Sequence, residues 1–333
     1  MRAAVAEHLR SPLVMRDVEQ PALGPRDVLL EVKACGVCYT DLRVIDALGA
    51  AAMPLIPGHE AVGVVAAVGS EVHDVAVGAR VGAHAHFTCG RCAYCASGEE
   101  EACVTGFSQL AGVSLNGGYA EFVRVPASHV IPLPEGLSFA EASPFFCAGL
   151  TVFAGLKNGG IQPGQRVVVI GVGGLGHMAI PIATALGAEV LAVTGSADKV
   201  AFARARGAAF AGSAADVAGE LRGRGGAHLI LNTANSLSVV GALAASVATQ
   251  GTIVLTASDG DTLPIPPALF TARQLRVVGS FFGSRQDVRD VLALAERHHI
   301  RPLVETYPLA EVNAAHARLR ANQVRYRAVL MME

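Results

Sequence analysis

The segment RVVVIGVGGLGHMAI, residues 166 to 180, limits the possible folds of this chain more than any other. It carries G-x-G-x-x-G at Gly171, Gly173 and Gly176, directly after an apolar run and directly before a helical pattern. In a strand–turn–helix unit, the first glycine permits a tight turn, the second lets the backbone approach a pyrophosphate, and the third lets the helix pack on the strand. A glycine-rich turn without a ligand is the alternative, but the surrounding pattern favours a dinucleotide site at the helix amino terminus.

The pattern of the chain changes near Gly149. Before it, short β-rich segments such as DVLLEVKACG and AVGVVAAVG are separated by Gly- and Pro-containing turns. After it, short apolar strands alternate with helical segments, which is typical of a parallel sheet with helices on both faces. We therefore predict an α/β protein, with a doubly wound Rossmann domain at residues 149–281. A second, β-rich domain is predicted from residues 1–148 together with 282–333.

Composition excludes several classes of partner. The 333 residues carry a formal net charge of −2, and only 16% of them are charged, so the sequence shows no basic surface for nucleic acid or anionic membranes. The amino terminus has early charges and no apolar core of a signal peptide. Residues 167–188 are uncharged, but five glycines, a histidine and a proline interrupt them, so we predict no membrane span there. A cytoplasmic location is expected.

Four cysteines lie close together in CGRCAYCASGEEEAC. Cys89, Cys92, Cys95 and Cys103 have the spacing C-x2-C-x2-C-x7-C, which is typical of a closed tetrahedral zinc site. An iron–sulfur cluster uses somewhat similar spacing and is the weaker alternative, and four unligated thiols are less expected still. Because such a site leaves no open position, its predicted role is to brace a loop of the first domain.

Three further cysteines remain: Cys35, Cys38 and Cys147. A catalytic zinc needs three protein ligands and an open fourth position. His59, with Glu60 beside it, supplies an imidazole that could complete such a set with Cys38 and Cys147, if the fold brings the three together. Each residue taken alone is more simply a buried thiol or a histidine in a loop.

The second strand of the predicted Rossmann domain lacks the acidic residue that usually binds the ribose 2′-hydroxyl of NAD. Thr194 occupies that place, and Ser196 and Lys199 follow it. No carboxylate there repels a 2′-phosphate, and Ser196 and Lys199 are suited to bind one. We therefore predict a preference for NADP(H) over NAD(H).

With these motifs the chain resembles the zinc-dependent alcohol dehydrogenases of the medium-chain dehydrogenase/reductase family, and most closely their yeast-type and bacterial branch. The resemblance covers nearly the whole chain and rests on CGVCYTD, PLIPGHEAVGVV, the four-cysteine loop, GGYAEF, CAGLTVF, VIGVGGLGH and VVGSFFGSRQDVRDVLALA. It implies a GroES-like first domain, two zinc ions per subunit, a small alcohol or aldehyde substrate, and a homodimer or homotetramer.

The resemblance also implies roles for individual residues. Cys38, His59 and Cys147 would hold the catalytic zinc, so that Cys35 is a packed neighbour and the C-x-x-C is not a dithiol. Glu60 and Asp41 would be carboxylates beside that metal, and Thr40 would hydrogen-bond the substrate oxygen and begin a proton relay. The residues expected to contact the cofactor are Gly171, Gly173, Gly174, Leu175, Gly176, Thr151, Thr194, Ser196 and Lys199.

Three departures from the family pattern carry information. Tyr39 replaces a histidine that contacts the cofactor phosphates, and Arg43 replaces a histidine that passes the relayed proton onward. Because a guanidinium stays protonated, Arg43 cannot serve as that base. Ala85 stands near a position where yeast-type relatives have Trp, and the chain contains no Trp. We therefore predict aromatic, allylic or long-chain alcohols and aldehydes as better substrates than ethanol.

Two alternatives remain open. One is a polyol or sugar dehydrogenase of the same superfamily, although those enzymes often have glutamate where this chain has Cys147. The other is a relative without enzymatic activity that binds NADPH and keeps only the bracing zinc. The intact set of Cys38, His59 and Cys147 favours the alcohol dehydrogenase over both.

Overall fold

A computed structural model describes residues 1–46, 52–257 and 262–332 of the chain. Contacts divide the chain into two compact units. The first comprises Met1–Cys147, Ser284–Glu296 and Arg301–Glu333, and the second comprises Ala148–Gly283 and Arg297–Ile300. The sequence predicts one domain from residues 1–148 together with 282–333 and another from residues 149–281. That these segments fold as independent domains stays a prediction.

The strands are numbered here in chain order. They are β1 Arg2–Val5, β2 Val14–Asp17, β3 Asp27–Val37, β4 Ala61–Val68, β5 Arg80–Ala83, β6 Phe122–Pro126, β7 Val130–Pro132, β8 Arg166–Ile170, β9 Glu189–Val193, β10 Phe210–Gly212, β11 Ala227–Asn232, β12 Val247–Leu255, β13 Arg276–Gly279, β14 Val304–Pro308 and β15 Arg327–Met331.

The α-helices follow the same convention. They are α1 Tyr39–Ile45, α2 Ala93–Ser97, α3 Phe139–Ala142, α4 Ala148–Asn158, α5 Gly176–Ala185, α6 Ala197–Ala205, α7 Ala214–Leu221, α8 Leu237–Leu243, α9 Pro267–Arg273, α10 Arg285–Arg297 and α11 Val312–Arg320. Short 3₁₀ helices lie at Glu100–Ala102, Gly106–Gln109, Ala127–His129, Ser143–Phe146, Ala244–Ser246 and Leu309–Glu311.

The second unit is built on a six-stranded sheet with the order β10-β9-β8-β11-β12-β13, and every pairing in it is parallel. Strands β8, β9 and β11 are buried along nearly their whole length and rich in Val, Ile and Leu, as strands covered on both faces must be. The chain starts in the middle at β8 and winds outward in both directions. This order confirms the predicted doubly wound Rossmann sheet.

The first unit is built on a seven-stranded sheet that is antiparallel except where β14 pairs with β15. Its central strand, β3, pairs with β4, β6 and β15. Along the middle of β3, Leu30, Val32 and Ala34 are almost completely buried, while Glu31 and Lys33 between them are partly exposed. This alternation is the two-residue period of a strand with one covered face, and the predicted β-rich fold is confirmed.

None of the described helices alone has the length and apolar character needed to cross a membrane. One bent pair, Phe139–Phe146 followed by Ala148–Asn158, passes that test by length and composition. The uncharged stretch at residues 167–188 consists mainly of β8 and α5.

Gly63 provides a test of the β3–β4 pairing. It lies opposite Val32, next to an irregularity in the register, and a Cβ there would lie 1.9 Å from the Glu31 carbonyl oxygen. Because that oxygen belongs to the backbone, we expect Gly63→Ala to lower the free energy of unfolding by about 1–3 kcal/mol in denaturant titration.

The matched control is Gly219→Ala in α7, where nothing lies within 4 Å of the added Cβ. Alanine should there raise the free energy of unfolding by about 0.5–1 kcal/mol, because it favours a helix interior. Equal effects at the two glycines would contradict the described β3–β4 geometry.

Candidate active site and metal centres

The transition from β3 to α1 places three of the predicted site residues. Cys38 is the extended residue that begins helix α1, with φ −118° and ψ 158°, and Thr40 and Asp41 lie in the first turn of that helix. The Asp41 carboxylate accepts a hydrogen bond from the Cys38 backbone N–H at 2.8 Å. This contact resembles the return half of a helix capping box, and it fixes the backbone from which the Cys38 thiol projects.

The fold brings the predicted ligands together. Ligand atoms of Cys38, His59, Glu60 and Cys147 all lie within 4.8 Å of one another, and all four residues are buried. The two sulfur atoms are 3.8 Å apart. The side chains come from the end of β3, from the residues just before β4, and from the residue after the 3₁₀ helix at Ser143–Phe146. Cys35, also buried, is outside this set.

Asp41 sets the orientation of the His59 ring. Its Oδ1 atom lies 2.9 Å from His59 Nδ1, and the carboxylate is completely buried. Because a carboxylate only accepts hydrogen bonds, Nδ1 is the donor, which leaves Nε2 as a lone-pair donor toward a metal. A carboxylate behind a ligating histidine is the usual arrangement at zinc sites.

Glu60 is held by a residue that the sequence analysis did not identify. Arg327, on β15, forms an ion pair with Glu60 Oε1, and both side chains are buried. The other carboxylate oxygen, Oε2, has no hydrogen-bond partner among the described residues. Gly36 makes room for it, since a Cβ there would lie 1.9 Å from Oε2. The only available signal for Arg327 was one arginine in the apolar strand RAVLM.

Electrostatic effects within this cluster act in opposite directions on its members. The hydrogen bond between the thiols lowers the pKa of Cys38 well below its ordinary value despite burial, with help from His59. The same hydrogen bond, together with burial, raises the pKa of Cys147. Burial lowers the pKa of His59, but Asp41 outweighs it and the net shift is upward. Two sulfurs, one imidazole and an unpartnered carboxylate oxygen, all buried, are a donor set that fits a zinc ion.

The four-cysteine loop forms a second centre. The sulfur atoms of Cys89, Cys92, Cys95 and Cys103 also lie within 4.8 Å of one another. The Cys103 sulfur accepts hydrogen bonds from the Cys89 backbone N–H at 3.3 Å and from Thr105 Oγ1 at 3.2 Å. Although burial acts against them, these donors lower the pKa of Cys103 to about 6. Four sulfur atoms this close together, one at every corner, fit a closed zinc site.

The four-cysteine loop is fixed to the rest of the first unit by an ion pair that the sequence analysis also missed. Glu100 accepts hydrogen bonds from the Arg285 backbone N–H at 2.5 Å and from Arg285 Nε at 2.8 Å. Arg285 also donates to the Ser128 carbonyl oxygen at 2.7 Å. A further contact joins the Thr88 backbone N–H to the buried His129 ring at 2.9 Å. Arg285 is the first residue of α10, so this helix anchors the loop.

The glycine-rich turn after β8 shows what each glycine does. Gly171 has φ +90°, and a Cβ on Gly176 would lie 1.8 Å from the Gly171 carbonyl oxygen. These two glycines are therefore required by the turn itself. A Cβ on Gly173, in contrast, would meet nothing within 4 Å. That open side, in a turn that includes Gly174 and Leu175 before α5, fits a bound dinucleotide.

The remaining predicted cofactor contacts lie in the second unit. Thr194 directly follows β9, and Ser196 begins α6 without using its hydroxyl as a helix cap. Lys199 lies one turn into α6 and is partly exposed. Thr151 is buried in α4. The structure places these residues at strand and helix ends but does not test their roles.

Two of the three residues that depart from the family pattern lie at the surface: Tyr39 is 49% exposed, and Arg43 is exposed on α1. Between them in the sequence, Thr40 has its hydroxyl 3.7 Å from the Cys38 sulfur. Ala85 is buried and lines a small cavity of about 10 Å³ together with His59 and Ala111. A residue larger than alanine at position 85 would therefore have to displace its neighbours near His59.

Comparison with known proteins decides the family. The alcohol dehydrogenase GroES-like domain matches residues 24–135, and the zinc-binding dehydrogenase domain matches residues 174–297. An alcohol dehydrogenase from Geobacillus stearothermophilus is 38% identical, with all of both chains covered. The chain belongs to the zinc-type medium-chain alcohol dehydrogenases. This membership confirms the family predicted from the sequence.

Solved structures of the family agree with this membership. An NAD-dependent alcohol dehydrogenase superposes with a TM-score of 0.93 at 30% identity, and all of both chains is covered. A cinnamyl alcohol dehydrogenase from Sorghum bicolor superposes with a TM-score of 0.88 at 30% identity, with 99% of this chain and 97% of that one covered. The family supports alcohol dehydrogenase activity with zinc and a nicotinamide cofactor.

Removal of the Glu100 charge tests the anchor of the four-cysteine loop. Hydrogen bonds to charged groups contribute about 1.5–3 kcal/mol each, and the Arg285 side chain is only 25% exposed. We expect Glu100→Gln to lower the free energy of unfolding by about 2 kcal/mol and to speed metal loss from the loop to a chelator.

This effect should depend on pH. Despite burial, Arg285 holds the pKa of Glu100 below its ordinary value of 4.5. The ion pair therefore stabilises the fold fully above pH 4.5 and less as pH falls through the folded-state pKa of Glu100.

The control for Glu100→Gln is Glu189→Gln, whose partner Arg224 is 36% exposed. This variant should lower the free energy of unfolding by about 0–1 kcal/mol. A Glu100 variant indistinguishable from this control would contradict the anchoring role.

Proposed function

We propose that this chain is a zinc-dependent alcohol dehydrogenase that interconverts alcohols with aldehydes or ketones, with NADP(H) preferred over NAD(H). The observation that carries the proposal is the buried set of Cys38, His59 and Cys147, whose ligand atoms lie within 4.8 Å of one another. The polyol dehydrogenase alternative gains no support from this set, because a thiol stands at position 147.

Two zinc ions are proposed. Cys38, His59 and Cys147 would hold one, and Cys89, Cys92, Cys95 and Cys103 would hold the other. The first supplies a Lewis acid for the substrate oxygen, and the dinucleotide supplies the hydride acceptor or donor. The protein's contribution is positioning: Asp41 orients His59, and the pair of Glu60 and Arg327 balances charge beside the ligands.

Thr40 is the proposed first proton carrier. Its hydroxyl lies 3.7 Å from the Cys38 sulfur, which is close enough to the ligand set to hydrogen-bond a substrate oxygen, and the residue is partly exposed. Arg43, one turn further along α1, stays protonated and cannot take the proton. We infer that the proton passes from Thr40 to solvent water.

Substrates bulkier than ethanol are proposed: aromatic, allylic or long-chain alcohols and aldehydes. The proposal is supported by the absence of Trp from the whole sequence. The structural relative from Sorghum bicolor, which is named a cinnamyl alcohol dehydrogenase, supports the same class of substrates.

A cytoplasmic homodimer or homotetramer completes the proposal. None of the seven cysteines forms a disulfide, and six of them are proposed zinc ligands, which suits a reducing compartment. Large apolar side chains such as Val104, 73% exposed, and Phe281, 51% exposed, are candidates for burial between copies.

A substrate panel on metal-quantified protein tests the activity. We expect two zinc ions per chain and a higher kcat/KM for benzyl or cinnamyl alcohol than for ethanol. One zinc per chain without turnover would instead support a braced binding protein. A higher kcat/KM for ethanol would refute the proposed substrate class while leaving the dehydrogenase activity intact.

Cofactor choice is tested by Ser196→Ala and Lys199→Ala. If these side chains bind the 2′-phosphate, each variant should lower kcat/KM for NADPH about tenfold, or about 1.4 kcal/mol, and leave the NADH value unchanged. Lys157→Ala, an exposed lysine in the same unit, is the matched control. A wild-type preference for NADH of about tenfold or more would overturn the NADP(H) preference.

A further inference from the structure

Three hydrogen-bond donors converge on the buried Asp41 carboxylate. His59 Nδ1 lies 2.9 Å from Oδ1, and the Cys38 backbone N–H lies 2.8 Å from Oδ2. The third donor is the hydroxyl of Tyr119, 2.9 Å from the same Oδ2. Two of the donors belong to proposed metal ligands, and Tyr119 is the one that does not.

The third donor determines how the carboxylate is oriented. Asp41 and Tyr119 both have 0% of their surface exposed, so water does not replace a missing donor at low cost. With Oδ2 held by both Tyr119 and the Cys38 N–H, the plane of the carboxylate is fixed and Oδ1 is directed at His59. Without the hydroxyl, only one contact holds Oδ2.

Tyr119 also holds the backbone that carries His59. Its backbone N–H donates to the Pro57 carbonyl oxygen at 3.0 Å, and the neighbouring Gly118 N–H donates to the Gly58 carbonyl oxygen at 2.7 Å. The ring lies so close to Gly58, which has φ +95°, that a Cβ there would lie 2.4 Å from a ring carbon. The residue directly before His59 is therefore packed against the same side chain that holds Asp41.

On these contacts we propose that Tyr119 is a positioning residue for the metal centre of Cys38, His59 and Cys147. Its hydroxyl orients the Asp41 carboxylate, which in turn holds His59 with Nδ1 as donor and Nε2 toward the metal. Tyr119 touches neither substrate nor cofactor in this role. The inference rests on the proposed catalytic zinc site.

The test compares two tyrosines that undergo the same chemical change. Tyr119→Phe removes the hydroxyl and keeps the ring that packs on Gly58. Tyr307→Phe is the matched control, because its hydroxyl also donates to a carboxylate at 2.9 Å, that of Glu305, in the same unit but outside the ligand set. Zinc release to a chromophoric chelator is followed for both, and Cys147→Ser identifies the phase that belongs to the ligand set.

We expect Tyr119→Phe to lose zinc from the ligand set about 10–100-fold faster than wild type, as other partners behind ligating histidines do. Zinc release from the four-cysteine loop should be unchanged, and Tyr307→Phe should match wild type in both phases. In metal-free protein, at a pH high enough for the His59 ring to be neutral, ¹⁵N spectra of that ring should show the Nδ1–H tautomer less populated in Tyr119→Phe alone. Release rates and spectra equal to those of Tyr307→Phe would overturn the proposal.

A second variant guards against a Tyr119→Phe protein that does not fold. Asp41→Asn keeps Tyr119 in place and must show the same selective loss of zinc, since the tyrosine acts through this carboxylate. A folded Asp41→Asn protein that retains the zinc as tightly as wild type overturns the inference. If wild-type protein itself shows no release phase that Cys147→Ser removes, the proposed zinc site fails as well.

Discussion

The first unit depends on how the charges of two buried carboxylates, Asp41 and Glu60, are balanced. Both have 0% of their surface exposed, and an isolated buried charge is strongly unfavourable. Asp41 is balanced by three hydrogen-bond donors, and Glu60 by the Arg327 guanidinium. Buried ion pairs contribute little net stability compared with apolar residues of similar volume. Their presence beside two thiols and an imidazole is therefore explained by the metal that this cluster fits, more than by the needs of the fold.

After the second unit, the chain re-enters the first unit at Ser284. This C-terminal part of the chain supplies one arginine to each proposed metal centre. Arg285, at the start of α10, binds Glu100 within the four-cysteine loop. Arg327, at the start of β15, binds Glu60 beside the buried ligand set. Strand β15 is held in place by antiparallel pairing with β3, the strand that leads directly into Cys38. The C-terminal segment therefore completes both centres as well as the sheet, which gives a physical reason for a first unit assembled from separated parts of the chain.

Sequence reasoning is most direct where the residues of a site are close together in the chain. The glycine turn and the four-cysteine loop each lie within about one turn or loop, so residue spacing alone indicated their function. The set of Cys38, His59 and Cys147 spans 109 residues between its sulfurs. The residues alone therefore suggested it only on the condition that the fold brings them together, and the family resemblance then assigned it. Tyr119, Arg285 and Arg327 were missed because their contacts join residues 78, 185 and 267 positions apart. No periodicity or motif reports on such pairs, since only the folded sheet brings them together.

The two proposed zinc sites differ in composition in a way that their surroundings explain. Four thiolates around a divalent zinc leave a net negative charge, whereas two thiolates and a neutral imidazole cancel it. Cys89, Cys92 and Cys95 are partly exposed, so water screens the charge that remains on the loop. Cys38, His59 and Cys147 are at least nine-tenths buried, where an uncompensated charge is far less tolerable. A zinc site without net charge is thus the one that a buried position favours. Two thiolates in place of four would also leave the metal a stronger Lewis acid toward a substrate oxygen, since fewer negative ligands donate charge to it.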